Sequence, residues 1–268
     1  MHKITITLIL NFLFLFEIFA QDLLVFETES LPKPDSVFVF LPETYSTSSD
    51  IRYPTLYLLH GWSGNYLYWN EIIDCQTYAN DYQMIIVCPD GLYNSWYINS
   101  PVIENCQYAN FFFQELVPKI FQNYHADSNN VFITGLSMGG HGALYLFAQK
   151  PEIFRSAGSI SGTFDLKLVP SGLGIAQKLG MAKNRKIETL YDEYSVIGNI
   201  DKIKLANKPI IFSCGVSDQY YEVNDVFGKL CKENQIEATF IADPGEHNAL
   251  YWRKAIKYHF IFFSDLVQ

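Results

Sequence analysis

Short apolar runs alternate with longer amphipathic ones along most of this chain. Val37–Leu41, Thr55–Leu59, Met84–Cys88, Val131–Thr134, Ser156–Ile160, Pro209–Ser213 and Ala238–Ile241 are apolar with little alternation. That pattern marks strands covered on both faces of a parallel sheet. Between them, Tyr66–Asn80, Ala109–Tyr124, Met138–Gln149, Asn224–Asn234 and Ala249–Phe263 read as helices. Repeated β-α order predicts an α/β fold, a doubly wound, mostly parallel sheet with helices on both faces. Leu31–Pro34 and Thr44–Tyr53 are rich in Pro, Ser and Thr and read as surface turns.

One stretch breaks the rhythm. Gly162–Ile200 carries Pro170, Gly172, Gly174, Gly180 and a basic cluster, Lys183–Lys186. It predicts an insertion (162–200) over the active site, with Leu166, Leu168, Val169 and Leu173 turned to a pocket. The N-terminus is different again. Met1-His2-Lys3 precedes a mostly apolar run, Ile4–Ala20, that ends Ile18-Phe19-Ala20-Gln21. This reads as a secretory signal peptide (1–20) cut after Ala20. Residues 21–268 are then one domain, exported to the periplasm or the exterior, with no stable membrane anchor.

Composition narrows the function classes. The chain has 268 residues, 49% hydrophobic and 18% charged, which suffices for a core and excludes disorder. Its net charge of −9 repels phosphate backbones and argues against a nucleic-acid partner. Losing Lys3 and Glu17 with the leader leaves that charge unchanged. The five cysteines leave at least one unpaired. Cys88 and Cys214 end apolar runs and read as buried, and Cys75–Cys106 is the one pairing considered. No Cys or His spacing suits zinc, so neither metal nor cofactor is expected.

Candidate chemistry sits at one turn. Val131–Thr134 runs into Gly135-Leu136-Ser137-Met138-Gly139-Gly140 and then an apolar helix. This is G-x-S-x-G in its required setting of strand, tight turn and helix. The turn is so sharp that side chains at positions 135 and 139 would collide with backbone, and Ser137 is pushed up at a helix N-terminus. A serine nucleophile needs a base and an orienting acid, in the chain order Ser, acid, His. His247, in the turn Asp243–Asn248 after a strand, fits the base, whereas His141 and His259 fall inside helices. Asp218 follows the strand Pro209–Ser213 and fits the acid; Glu222 and Asp225 are rivals, with Asp225 better placed at a helix start. The oxyanion needs two backbone donors. Met138 N–H supplies one, and Trp62 N–H, in His60-Gly61-Trp62-Ser63-Gly64, the other. His60 reads as packing in that loop.

From about residue 35 onward the chain resembles the esterase family of α/β-hydrolases. That family includes esterase D and S-formylglutathione hydrolases, tributyrin esterases, feruloyl and acetyl-xylan esterase domains, and the mycolyltransferase antigens. The matching pieces are Leu58–Asn65, Val87-Cys88-Pro89-Asp90-Gly91, Gly135–Gly140, Cys214–Asp218 and Pro244–His247. The resemblance implies an α/β-hydrolase fold, Ser137 as nucleophile, Asp218 as acid, His247 as base, and oxyanion donors at Trp62 and Met138. All four tryptophans lie beside these segments. Trp96, Tyr97 and Tyr221 are the expected substrate-binding rings, flat surfaces suited to a sugar or an aryl acyl group. The sequence thus predicts an exported serine esterase acting on a small-molecule or polysaccharide ester. The alternatives are an acyltransferase of the mycolyltransferase type, an S-formylglutathione hydrolase-like thioesterase, and a non-catalytic binding module.

Overall fold

A computed structural model describes residues 21–47, 50–181 and 188–267. Both the expected signal peptide (1–20) and the cluster Lys183–Lys186 lie outside them. Eight strands form one sheet: β1 (Gln21–Phe26), β2 (Asp35–Phe40), β3 (Tyr53–Leu59), β4 (Ile85–Pro89), β5 (Ala126–Gly135), β6 (Ser156–Ile160), β7 (Ile210–Gly215) and β8 (Ala238–Asp243). Their order is β1-β2-β4-β3-β5-β6-β7-β8. Pairing is parallel from β4 through β8 and antiparallel at β1·β2 and β2·β4.

The strands lack polar alternation because both of their faces are buried. Leu56, Leu58, Ile86 and Phe132 point into one apolar layer, with Trp69, Ile256 and Phe260. Tyr57, Leu59, Val87 and Ile133 point into the other, with Phe112, Leu144 and Phe227. The first layer is covered by α1 (Tyr68–Ile72), α2 (Cys75–Tyr82) and α10 (Ala249–Asp265). The second is covered by α3 (Tyr108–Phe111), α4 (Val117–Asn123), α5 (Met138–Gln149), α8 (Ile200–Ala206) and α9 (Tyr221–Glu233).

Two expected helices are interrupted, each for a local reason. The run Tyr66–Asn80 divides because Asp74 leaves helical geometry and accepts the Thr77 N–H, capping α2. The run Ala109–Tyr124 holds a π-helical turn, Phe112–Leu116, just before Pro118. A proline has no N–H to give and its ring crowds the preceding turn, which the wider winding relieves. The insertion folds as short turns with α6 (Ile175–Lys178) and α7 (Glu188–Tyr194). Leu166 is buried in the core, whereas Leu168 is exposed. All five cysteines are buried free thiols, so Cys75 and Cys106 are not paired.

Three buried ionisable groups contribute to the pH dependence of stability. His259 in α10 bridges Thr134 Oγ1 (2.9 Å) and Ser213 Oγ (3.2 Å), and burial lowers its pKa to about 3. Burial also lowers His141 to about 4. Asp35 is pushed up to about 9 by burial, the Asp90 carboxylate adding to the shift. Between about pH 4 and 6.5 the unfolded chain holds two protons on these histidines, and the folded chain one, on Asp35. From these groups, stability should therefore rise with pH by ~1.4 kcal/mol per unit to about 6.5. Above that the unfolded histidines are neutral, only folded Asp35 keeps its proton, and stability should fall. Urea unfolding from pH 5 to 8 checks this, and Asp35→Asn should remove the decline on the alkaline side.

Candidate active site

Backbone contact builds the nucleophile turn. Ser137 sits between β5 and α5 at φ 55°, ψ −116°, a strained conformation. A Cβ on Gly139 would overlap the carbonyl oxygen of Leu59, and one on Gly135 would lie 2.5 Å from that of Gly139. β3 and the start of α5 therefore touch main chain to main chain, and the serine side chain is left facing outward, half-buried. Met138 opens α5, where a helix leaves its first N–H groups without intrahelical partners.

The loop after β3 packs against this turn. A Cβ on Gly61 would stand 3.5 Å from Ser137 Cβ. His60, buried, contacts the Gly61 carbonyl through Nδ1 (2.7 Å) and takes the Gly91 N–H on Nε2 (2.6 Å). An Nε2 that accepts leaves Nδ1 as the donor. Holding the Gly61 carbonyl turns the other end of that peptide, the Trp62 N–H, the opposite way. His60 is thus a positioning group as well as a packing one.

Acid and base are brought together by paired loops. Val216 N–H donates to Asp243 O (3.0 Å) and Ser217 N–H to Gly245 O (2.9 Å), joining the segments after β7 and β8. Asp218 Oδ1 accepts the Tyr220 N–H at 2.8 Å, which fixes the carboxylate. His247 Nδ1 lies 2.9 and 3.0 Å from the two Asp218 oxygens. Its Nε2 lies 2.9 Å from Ser137 Oγ. With Nδ1–H donated to the carboxylate, Nε2 presents a lone pair to the serine hydroxyl. The rivals stand apart: Glu222 is exposed and Asp225 pairs with Lys229 at 2.7 Å. His141 Nε2 donates to the Tyr194 carbonyl (2.8 Å) and serves packing.

The aromatic surroundings differ from those expected. Trp96 is 1% exposed and Tyr97 fully buried, both at positive φ that turns their rings inward. Trp96 Nε1 donates to the Leu173 carbonyl (3.1 Å), and Tyr97 OH to that of His60 (2.9 Å). As placed, neither offers a face to a substrate. Tyr221 is half-buried against Phe240, with ring centroids 6.5 Å apart. Other rings flank the catalytic candidates: Tyr220 and Trp252 stand edge-on to His247 at 5.1 and 5.2 Å. Trp62 packs edge-on against Tyr93 at 4.7 Å, and Tyr93 is 58% exposed. Sequence singles out the loop that holds Tyr93 but not which of its rings faces out. Trp96→Phe should lower stability by about 1 kcal/mol through the lost hydrogen bond. Its effect on p-nitrophenyl acetate and on an aryl sugar ester should be equal; a loss confined to the larger ester would mean that the ring reaches substrate.

Among the described residues no group of His, Cys, Asp or Glu is placed to hold a metal ion. No helix among them is long and apolar enough to cross a membrane.

Comparisons with known proteins agree with this architecture. A family model described as “Putative esterase” matches residues 28–262. An endo-1,4-beta-xylanase/feruloyl esterase of Xylanibacter ruminicola is 31% identical over 154 residues, covering 51% of this chain but only 21% of that protein. An acetyl esterase of Caldicellulosiruptor saccharolyticus is 24% identical over 224 residues, 79% of this chain and 84% of that one. A solved ferulic acid esterase superposes with a TM-score of 0.76 at 22% identity, covering 92% and 97% of the two chains. The substrate-bound serine hydrolase FphF of Staphylococcus aureus gives 0.75 at 22% identity, covering 91% and 98%. At that identity the likeness establishes the α/β-hydrolase fold.

Proposed function

The chain belongs to this esterase family, and from that premise we propose that it is an exported serine esterase cleaving acetyl or feruloyl esters of carbohydrates. The observation that carries the reading is the relay Ser137 Oγ, His247 Nε2, Nδ1, Asp218, with both links at about 3 Å. Ser137 Oγ attacks the ester carbonyl while His247 Nε2 takes its proton, and the Asp218 carboxylate stabilises the imidazolium. Trp62 and Met138 N–H groups receive the oxyanion. Collapse of the tetrahedral intermediate breaks the bond to the alcohol, which leaves with the proton from His247. Water, deprotonated by the same imidazole, then attacks the acyl-serine and releases the acid.

The carbohydrate part of the reading is supported by relatives named as feruloyl and acetyl esterases, and by the exposed Tyr93 ring beside Trp62. The export part rests on the apolar leader. The test is a panel of p-nitrophenyl, feruloyl-sugar and acetyl-xylan esters offered to purified residues 21–268. Turnover of the sugar esters well above that of simple aryl esters is expected. Hydrolysis of none would overturn the esterase reading.

A further inference from the structure

Beside the oxyanion loop lies a cleft of about 440 Å³, lined among others by Lys33, Tyr93, Asn94, Asn105, Cys106 and Lys178. That volume is in the range of small-molecule sites. Tyr93 is the shared wall: its ring meets Trp62 at 4.7 Å, and its carbonyl accepts the Ser63 N–H at 2.8 Å. Tyr93 thus joins the cleft to the loop that carries Trp62.

The charged side chains that line the cleft are both lysines, Lys33 and Lys178. The chain carries a net charge of −9, yet among the described residues no Asp or Glu lines this space. Lys33 is paired with Asp90 at 3.0 Å and is largely neutralised. Lys178 is not: among the described residues its ammonium meets the Cys106 thiol at 3.4 Å, a weak acceptor without charge. Among the described residues one positive charge therefore remains uncompensated, with the amides of Asn94 and Asn105 as further donors.

The architecture holds that charge in place. Ser100 Oγ donates to the Lys178 carbonyl at 2.5 Å, and Trp96 Nε1 to that of Leu173 at 3.1 Å. Gly174, at φ +85°, leaves room for the Asn94 carboxamide, which a Cβ there would strike. The insertion is thus tied to the segment after β4 at several points, and α6 delivers Lys178 to the cleft wall.

We propose that this cleft binds a carboxylate carried by the substrate, which makes the preferred substrates esters of polysaccharides bearing uronic acid residues. A single uncompensated ammonium matches a monoanion better than a phosphate dianion. The inference rests on the esterase reading above for its link to catalysis, not for the cleft itself.

The test uses acetylated xylo-oligosaccharides with and without a glucuronic acid branch. The wild-type chain should favour the acidic one in kcat/KM by about fivefold, the scale of a partly exposed ion pair, with the preference shrinking as salt is raised. Lys178→Met should bring the ratio near one by lowering kcat/KM for the acidic ester. Equal rates in the wild type, or a preference that survives Lys178→Met, would overturn the proposal. Calorimetry with the deacetylated oligosaccharides separates the two readings. If neither ester is hydrolysed but the acidic sugar binds in a Lys178-dependent way, the esterase reading falls and the cleft stands. If the acidic sugar binds no better than the neutral one, the cleft proposal falls.

Discussion

Ser137→Ala should lower kcat by roughly 10³-fold or more, leaving only what binding and the oxyanion donors supply. The expectation comes from the geometry around one oxygen. Ser137 Oγ is the atom on His247 Nε2, at 2.9 Å, and removing it leaves the imidazole with no nucleophile to activate. The fold should be barely affected. Among the described residues its hydroxyl bonds to His247 and not to the sheet or the core, so alanine removes no contact that the turn needs. Circular dichroism and the melting temperature are thus the controls, and burst kinetics with p-nitrophenyl acetate the direct readout: the acyl-enzyme burst should vanish. Retention of most activity would place the nucleophile elsewhere.

Gly139→Ala should damage both stability and rate, by a different physical route. Its new methyl would overlap the Leu59 carbonyl oxygen and lie 2.6 Å from that of His60. Neither can yield as a side-chain tip yields, because β3 is hydrogen-bonded to β4 and β5 on its two sides. Overpacking of this kind costs about 1–3 kcal/mol or more. Relief must come from moving the loop His60–Gly64 away from the serine, which carries the Trp62 N–H out of line. Chemical denaturation gives the stability loss. A fall in kcat well beyond the fraction unfolded would show that the oxyanion geometry has opened. An unchanged kcat in the folded fraction would show that the loop is not part of the machinery.

The sheet was legible because its central strands are buried on both sides, which leaves unbroken apolar runs such as Ile85–Cys88 and Val131–Thr134. β1 was not, because only one side of an edge strand is covered. Gln21–Phe26 alternates exposed and half-buried positions, its exposed set including the apolar Leu23 and Val25. Helix breaks at Asp74 and near Pro118 turn on single residues within longer periodic runs, which a periodicity average smooths away. The serine, acid and base proposed here were legible for another reason: each follows a strand end, and chain order limits the choice. The substrate-facing rings were not. Positive φ at Trp96 and Tyr97 turns both inward, leaving Tyr93 outside, and no local pattern announces which residues of a loop adopt that conformation.

β1 bears on the proposed removal of the apolar leader. Its first residue, Gln21, is already paired with Phe40, and it directly follows the proposed cleavage point. A processing protease grips extended, unpaired chain on both sides of the bond it cuts, so once β1 has docked there is no slack on its C-terminal side. Under that proposal cleavage precedes docking, or waits for the edge strand to peel away, an opening easier than global unfolding because a single strand, β2, pairs with it. Under the proposed cleavage, leader removal and the last step of sheet assembly are ordered in time, and a precursor that folds too early would be trimmed at the rate at which this one strand frays.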